Sequence, residues 1–296
     1  MEMIYLSKKG VVQKMLYGNK EEDFNDYLLP KTRKEQFGYI FKNNWLKLFS
    51  LNILMFIFFV PAIIYFFVSA FNYTNIVSNM TIEEVYQKLF SLNLMRYLIL
   101  TGLIMIGFIG LSGGSFIIRK LVFDEAVSFK EDFIKGIKYS AKQFLAIGLF
   151  LGLTIFAFNY SEQYIMLSKM NPFTQIMLVV MLLIVFILLV ISVMYMINLS
   201  NLYVMKFSAI FKSGLVLTFK NLFKNLLVFI IAFLPVFGWL IFASATLKFV
   251  MVFVLFVIGV SYIMLLFTLI SMYSFDIYIN PVQYPDFVRK GLSKDE

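Results

Sequence analysis

The sequence predicts an all-α, polytopic membrane protein: six transmembrane helices form three helical hairpins, joined by cytoplasmic amphipathic helices. Three observations carry this expectation. Apolar residues make up 61% of the 296-residue chain and charged residues 15%, against roughly 45–50% and about 25% in ordinary soluble domains. The apolar residues gather in runs near the roughly 20 residues that a helix needs to cross about 30 Å of hydrocarbon. A short basic phrase also opens a pair of such runs three times, aligning without gaps as Phe37 to Trp45, Ile137 to Leu145 and Phe219 to Leu227. Each copy places an apolar or small residue (Phe41, Ala141, Phe223) before a lysine (Lys42, Lys142, Lys224) and an amide (Asn43, Gln143, Asn225).

Residues 1–36 read as a cytoplasmic N-terminal extension, 37–275 as the membrane domain and 276–296 as a cytoplasmic tail. The extension is polar and mixed in charge, so no cleavable secretory signal is expected and the first span must direct insertion. Spans are expected at about 46–70, 97–118, 144–160, 176–199, 226–246 and 249–272, the third being the shortest. The segments before spans 1, 3 and 5 and after span 6 hold 22 of the 26 basic residues; only Lys88, Arg96, Lys169 and Lys248 fall on the other side. By the positive-inside rule, both termini are cytoplasmic.

Between spans 1 and 2, Thr81-Ile82-Glu83-Glu84 has the form of a capping box and predicts a short external helix. Phe129, Phe133 and Ile137 recur every fourth residue before span 3, with Lys130, Glu131, Lys135 and Lys138 on other faces. Phe207, Phe211, Leu215, Phe219 and Phe223 repeat that spacing before span 5, among Lys206, Lys212, Lys220 and Lys224. Both patterns predict amphipathic helices along the inner leaflet. In span 2, Gly110 and Gly114 form a small-xxx-small pair, which lets a neighbouring backbone approach closely and makes this span central. Pro61 in span 1 and Pro235 in span 5 each remove a helix hydrogen bond and predict kinks.

Three stretches resemble the YesL-like family of bacterial membrane proteins, whose molecular function is unknown. The first runs from Trp45 to Asn52. The second runs from Gly110 through Ser112, Gly113, Gly114 and Ser115 to Arg119-Lys120-Leu121-Val122, Phe129, Asp132-Phe133, Lys138 and Lys142-Gln143-Phe144. The third joins Phe207-Ser208, Leu217 to Asn221, and Leu234-Pro235. Where that family usually has Thr and Ala after its second-span glycine, this chain has Ser112, Gly113 and Gly114. Members are often encoded beside carbohydrate uptake and utilisation systems. The resemblance therefore implies an accessory role in sugar transport in a bacterial cell membrane, and it supplies no catalytic residues.

The chain has neither Cys nor His, which removes disulfides, thiol nucleophiles, imidazole acid/base groups and the commonest zinc sites. No phosphate-binding loop or metal-ligand spacing is present, so neither a cofactor nor a metal is expected. Asp124, Glu125, Glu131 and Asp132 sit in a basic loop and read as solvated charge balance rather than acid/base pairs. The span interiors hold no acidic or basic residue, whereas ion-coupled transporters keep such groups because they use them. In span 4, Ser192, Tyr195 and Asn198 share a face, either for interhelical hydrogen bonds or for a polar ligand. Lys42, Lys142 and Lys224 are expected to face anionic lipid headgroups. The sequence therefore predicts a non-enzymatic accessory or interaction module with the bilayer and transporter subunits as partners, and no nucleic acid. The alternative is a self-contained small-solute permease or channel along spans 1, 2, 4 and 5.

Overall fold

A computed structural model describes residues 29–71, 82–168, 170–241 and 244–293, and every regular element among them is helical. Four long helices come first: α1 (Arg33–Phe71), α2 (Ile82–Val122), α3 (Phe129–Leu167) and α4 (Pro172–Leu202). A broken series follows, with α5 (Phe207–Lys220), α6 (Leu222–Ala232), α7 (Leu234–Ile241) and α8 (Ala245–Val254). The last runs through a π-helical turn at Leu255–Gly259 into α9 (Val260–Tyr278), which is followed by α10 (Asn280–Gln283) and a 3-10 turn at Pro285–Phe287.

Five stretches are long and apolar enough to cross a bilayer: Arg33–Ser69, Gln87–Val122, Phe129–Leu167, Pro172–Leu202 and Thr246–Tyr278. A sixth exists if α5 and α6, bent by 95° at Asn221, count as one span. The chain is an all-α, polytopic membrane protein. Its apolar side chains lie outside as well as inside: in the first half of α4, Phe173, Ile176 and Met181 are exposed, as lipid-facing positions require.

Several elements differ from expectation. Among the described residues no separate external helix forms: the segment from Ile82 is the first part of α2, which is 41 residues long, and Thr81 of the expected capping box lies outside the described residues. The amphipathic phrase at Phe129 likewise continues into α3 without a break, so the third apolar stretch belongs to a 39-residue helix. Long runs of good helix formers propagate cooperatively through a boundary where composition alone changes. The phrase from Phe207 does form a separate helix, α5. The expected fifth span, 226–246, is divided at Phe233 (φ −95°, ψ 8°) between α6 and α7. Pro235 explains that division, since it has no N–H to give the Ile231 carbonyl four residues back. Pro61 lies inside α1, whose torsions leave the helical range at Asn44 (φ −128°, ψ 21°).

The chain divides into two compact units. The first takes the described parts of Met1–Met55, Ser112–Tyr139 and Phe219–Glu296. Its core holds Ile40, Leu48, Leu51 and Met55 of α1, Ile117 and Ile118 of α2, and Leu265, Phe267 and Phe275 of α9. Phe233 joins Phe229 (ring centroids 4.6 Å apart) to Phe267 (6.5 Å). The second unit takes Phe56–Leu111 and Ser140–Thr218. There Ile147 of α3 and Ile191, Val193, Met196 and Ile197 of α4 are buried. Phe158 meets Phe186 at 4.7 Å and Phe150 meets Phe211 at 5.2 Å.

Candidate functional site

The densest polar cluster lies in the first unit, where residues after α9 fold back on the start of α1. Gly291 makes the turn with φ +81°, a left-handed conformation that costs glycine little. A Cβ there would strike the Val122 carbonyl. The turn presents two carbonyls to α1: Arg33 Nη1 donates to Lys290 O at 3.0 Å, and Gln36 Nε2 donates to Gly291 O at 2.9 Å and to Val122 O at 2.7 Å. Arg33 Nη2 pairs with Asp276 Oδ2 at 2.8 Å; the arginine is buried and the aspartate half-buried. The other Asp276 oxygen accepts from Asn280 Nδ2 at 2.9 Å and the Arg289 backbone N–H at 3.2 Å. The Ser293 N–H donates to Pro30 O at 3.0 Å, closing the strap.

The loop between α2 and α3 joins the same unit through ion pairs. Lys290 Nζ lies 2.7 Å from Glu125 Oε1 and 4.5 Å from the Phe123 ring centre. Asp132 is buried; its Oδ2 accepts from Lys120 Nζ and from the Ser128 N–H, both at 2.8 Å. The second bond satisfies an orphan amide at the start of α3. Solvated charge balance thus fits exposed Glu131, whereas Glu125 and Asp132 hold the loop.

A second polar contact lies deeper in this unit. Asn52 of α1, fully buried, donates through Nδ2 to Phe256 O at 2.6 Å and accepts at Oδ1 from the Ser261 N–H at 3.0 Å. Phe256 lies within the π-helical turn and Ser261 just after it, where the helix ladder changes register and leaves backbone groups short of partners. One amide supplies both a donor and an acceptor there. Asn52 stands in the first stretch that carries the family resemblance, but its partner lies 204 residues away. No periodicity or spacing could have identified it.

Ser192, Tyr195 and Asn198 lie together on the buried second half of α4, in the second unit. Their face is filled. Asn198 Nδ2 bonds its own helix at Met194 O, 2.9 Å away, and a Cβ on Gly214 of α5 would sit 2.8 Å from Met196 Cγ and 3.1 Å from Ser192 O. Ser192 Oγ is buried with no hydrogen-bond partner. Gly110 and Gly114 also mark close approaches, each within its own unit. A Cβ on Gly110 would lie 2.7 Å from Phe58, and one on Gly114 would collide with Met55.

The three basic phrases take different structures. Lys42, Lys142 and Lys224 are all exposed, but the amides that follow diverge: Asn43 is exposed, Gln143 donates to Met205 O at 3.0 Å, and Asn225 is fully buried. The third copy contains the bend at Asn221, whose Nδ2 donates to Ser274 Oγ at 2.9 Å. Elsewhere, Asn93, Tyr97, Asn159, Tyr160 and Gln163 line a small open cleft between α2 and α3 in the second unit, with room for no more than a water-sized group.

Asp276 and Asp132 already accept from several donors, so neither is poised as a general base. Among the described residues, no group of three or more His, Cys, Asp or Glu side chains could hold a metal ion. Fold and site together define a multi-pass helical membrane protein whose buried charges pair with one another. No family model, no curated protein and no solved structure matches the chain.

Proposed function

We propose that the chain is a non-enzymatic accessory or interaction module of a bacterial cytoplasmic membrane, with both termini in the cytoplasm. The resemblance to the YesL-like family extends this reading to service beside a carbohydrate uptake system, with transporter subunits and anionic lipids as partners. One observation carries it: the polar face of α4, on which a solute path would depend, is packed against Gly214. A permease needs that face open to water. The paired carboxylates of the first unit support a structural rather than a chemical use of charge.

Affinity capture from detergent-solubilised membranes tests the role. Transporter subunits should be recovered, and deletion of the gene should slow growth on a particular sugar; capture of no partner together with unaltered uptake rejects the proposal. Orientation is testable separately, because the chain has no native cysteine. A single Lys130→Cys variant should react with a membrane-impermeant maleimide only in inside-out vesicles, and labelling from the outside of intact cells rejects the assigned orientation.

A further inference from the structure

We infer that the elbow between α5 and α6 is a headgroup site for an anionic glycerophospholipid of the surrounding leaflet. Four residues of the third basic phrase build it, with two tyrosines from α9. Lys220 Nζ lies 4.2 Å from the centre of the Tyr278 ring. Lys224 Nζ lies 4.2 Å from the centre of the Tyr273 ring and donates to its hydroxyl at 2.6 Å. Among the described residues, neither ammonium has a carboxylate within ion-pair distance. Beside them, Phe219 is 59% exposed and Phe223 is 85% exposed.

Each lysine is positioned but not neutralised. A ring face attracts an exposed ammonium and takes none of its charge. Lys224 spends one N–H on Tyr273 and keeps two; Lys220 keeps all three for an acceptor. Two cations held four residues apart, without an acidic partner, leave an anionic ligand as their complement. The phenylalanines identify what else the ligand must carry. Removing such side chains from water is favourable in proportion to the apolar area covered, a cover that acyl chains supply and an inorganic ion does not. An anionic phospholipid joins both features in one molecule, with phosphate oxygens for the lysines and glycerol and acyl carbon for the rings. The inference rests on the chain being a membrane protein and deepens the lipid partnership proposed above, and it is independent of any accessory role.

The test uses full-length purified protein in an uncharged detergent, with bound lipid counted by native mass spectrometry. Dioleoyl phosphatidylglycerol should bind more tightly than dioleoyl phosphatidylcholine. Lys220→Gln with Lys224→Gln should weaken phosphatidylglycerol about thirtyfold, from about 1 kcal/mol per juxtamembrane cation, and should leave phosphatidylcholine nearly unchanged. Lys220→Arg with Lys224→Arg should retain the preference, which separates charge from misfolding; Phe223→Ala should weaken both lipids alike. Equal binding of the two lipids by the wild type overturns the inference, as does full phosphatidylglycerol affinity in a folded double-Gln variant. Inorganic phosphate bound as tightly as phosphatidylglycerol reassigns the lysines to a free anion and also overturns it. Because the assay contains no partner protein, its failure is distinguishable from failure of affinity capture.

Discussion

Both units bring helices together at glycines, but they differ in how much buried polar pairing is added to that contact. In the first, α1, α9 and the C-terminal strap are joined by a part-buried ion pair, amide side chains and backbone carbonyls. In the second, helices meet through missing side chains: a Cβ on Gly148 would lie 2.9 Å from Phe108 and one on Gly152 would lie 2.7 Å from Thr101, both on α2. Lipid competes equally for apolar surfaces, so hydrophobicity does not favour helix association there, and close approach has to supply the attraction. Polar groups buried in low dielectric gain strength but become costly when one partner is lost. Both units should therefore resist addition of a side chain at their glycines, Gly114 in the first and Gly152 in the second, whereas the first should in addition be brittle to loss of a polar group.

The largest effect is expected at Arg33. Breaking a buried ion pair by removing one partner costs about 3–5 kcal/mol, and the half-buried Asp276, which keeps its bonds from Asn280 and the Arg289 N–H, places this pair toward the lower end. Arg33→Ala should lower the thermal unfolding midpoint in detergent by more than any other substitution considered, since it also frees the Lys290 carbonyl and the Gln36 amide. Arg33→Met combined with Asp276→Leu should regain much of the loss, as apolar replacement of whole buried pairs often does. A single variant that unfolds within a degree of wild type would show that the strap is not held by this pair.

Asn52→Leu comes next, at about 2–4 kcal/mol, because it orphans the Phe256 carbonyl and the Ser261 N–H at roughly 1–3 kcal/mol each, less what the turn recovers by relaxing. Hydrogen exchange is the sharper readout: protection should fall around residues 255–261 and stay unchanged in α4. Uniform loss across both units would instead show that they unfold together. Gly152→Leu probes the second unit at about 1–3 kcal/mol of overpacking, since the added atoms meet the Thr101 backbone as well as its side chain. Its exchange signature should be the reverse, with α2 and α3 near Thr101 and Gly152 loosened and the strap untouched.

Hydropathy made the apolar helices legible, and the Pro235 signal marks the division between α6 and α7. What the sequence hid was continuity and long-range pairing. The phrase at Phe129 has the amphipathic spacing of the phrase at Phe207, yet only the second becomes a separate helix, because the chain bends at Asn221 and Asn221 ties to Ser274. The basic repeat likewise reads as three equivalent feet, while packing buries Asn225, leaves Asn43 exposed and joins Gln143 to a backbone carbonyl. Arg33 and Asp276 stand 243 residues apart. Their charges are visible in the sequence, but the fold-back that removes them from water depends on a left-handed turn at Gly291 near the far end of the chain.

The smallest effect separates the two kinds of buried polar group. Ser192, like Asn52, is fully buried in a helix, but its Oγ has no hydrogen-bond partner. A hydroxyl removed from water without compensation opposes folding, so Ser192→Ala should leave the unfolding midpoint unchanged or raise it slightly, by no more than about 1 kcal/mol on the scale of a single hydrogen bond. The same variant also bears on the permease alternative. If the α4 face conducted a polar solute, Ser192→Ala would reduce flux into liposomes without a stability loss to account for it. The filled face against Gly214 instead predicts two null results, in flux and in destabilisation, whereas Asn52→Leu at equal burial should destabilise. Burial alone does not decide the cost of losing a polar group; the partner it satisfies does.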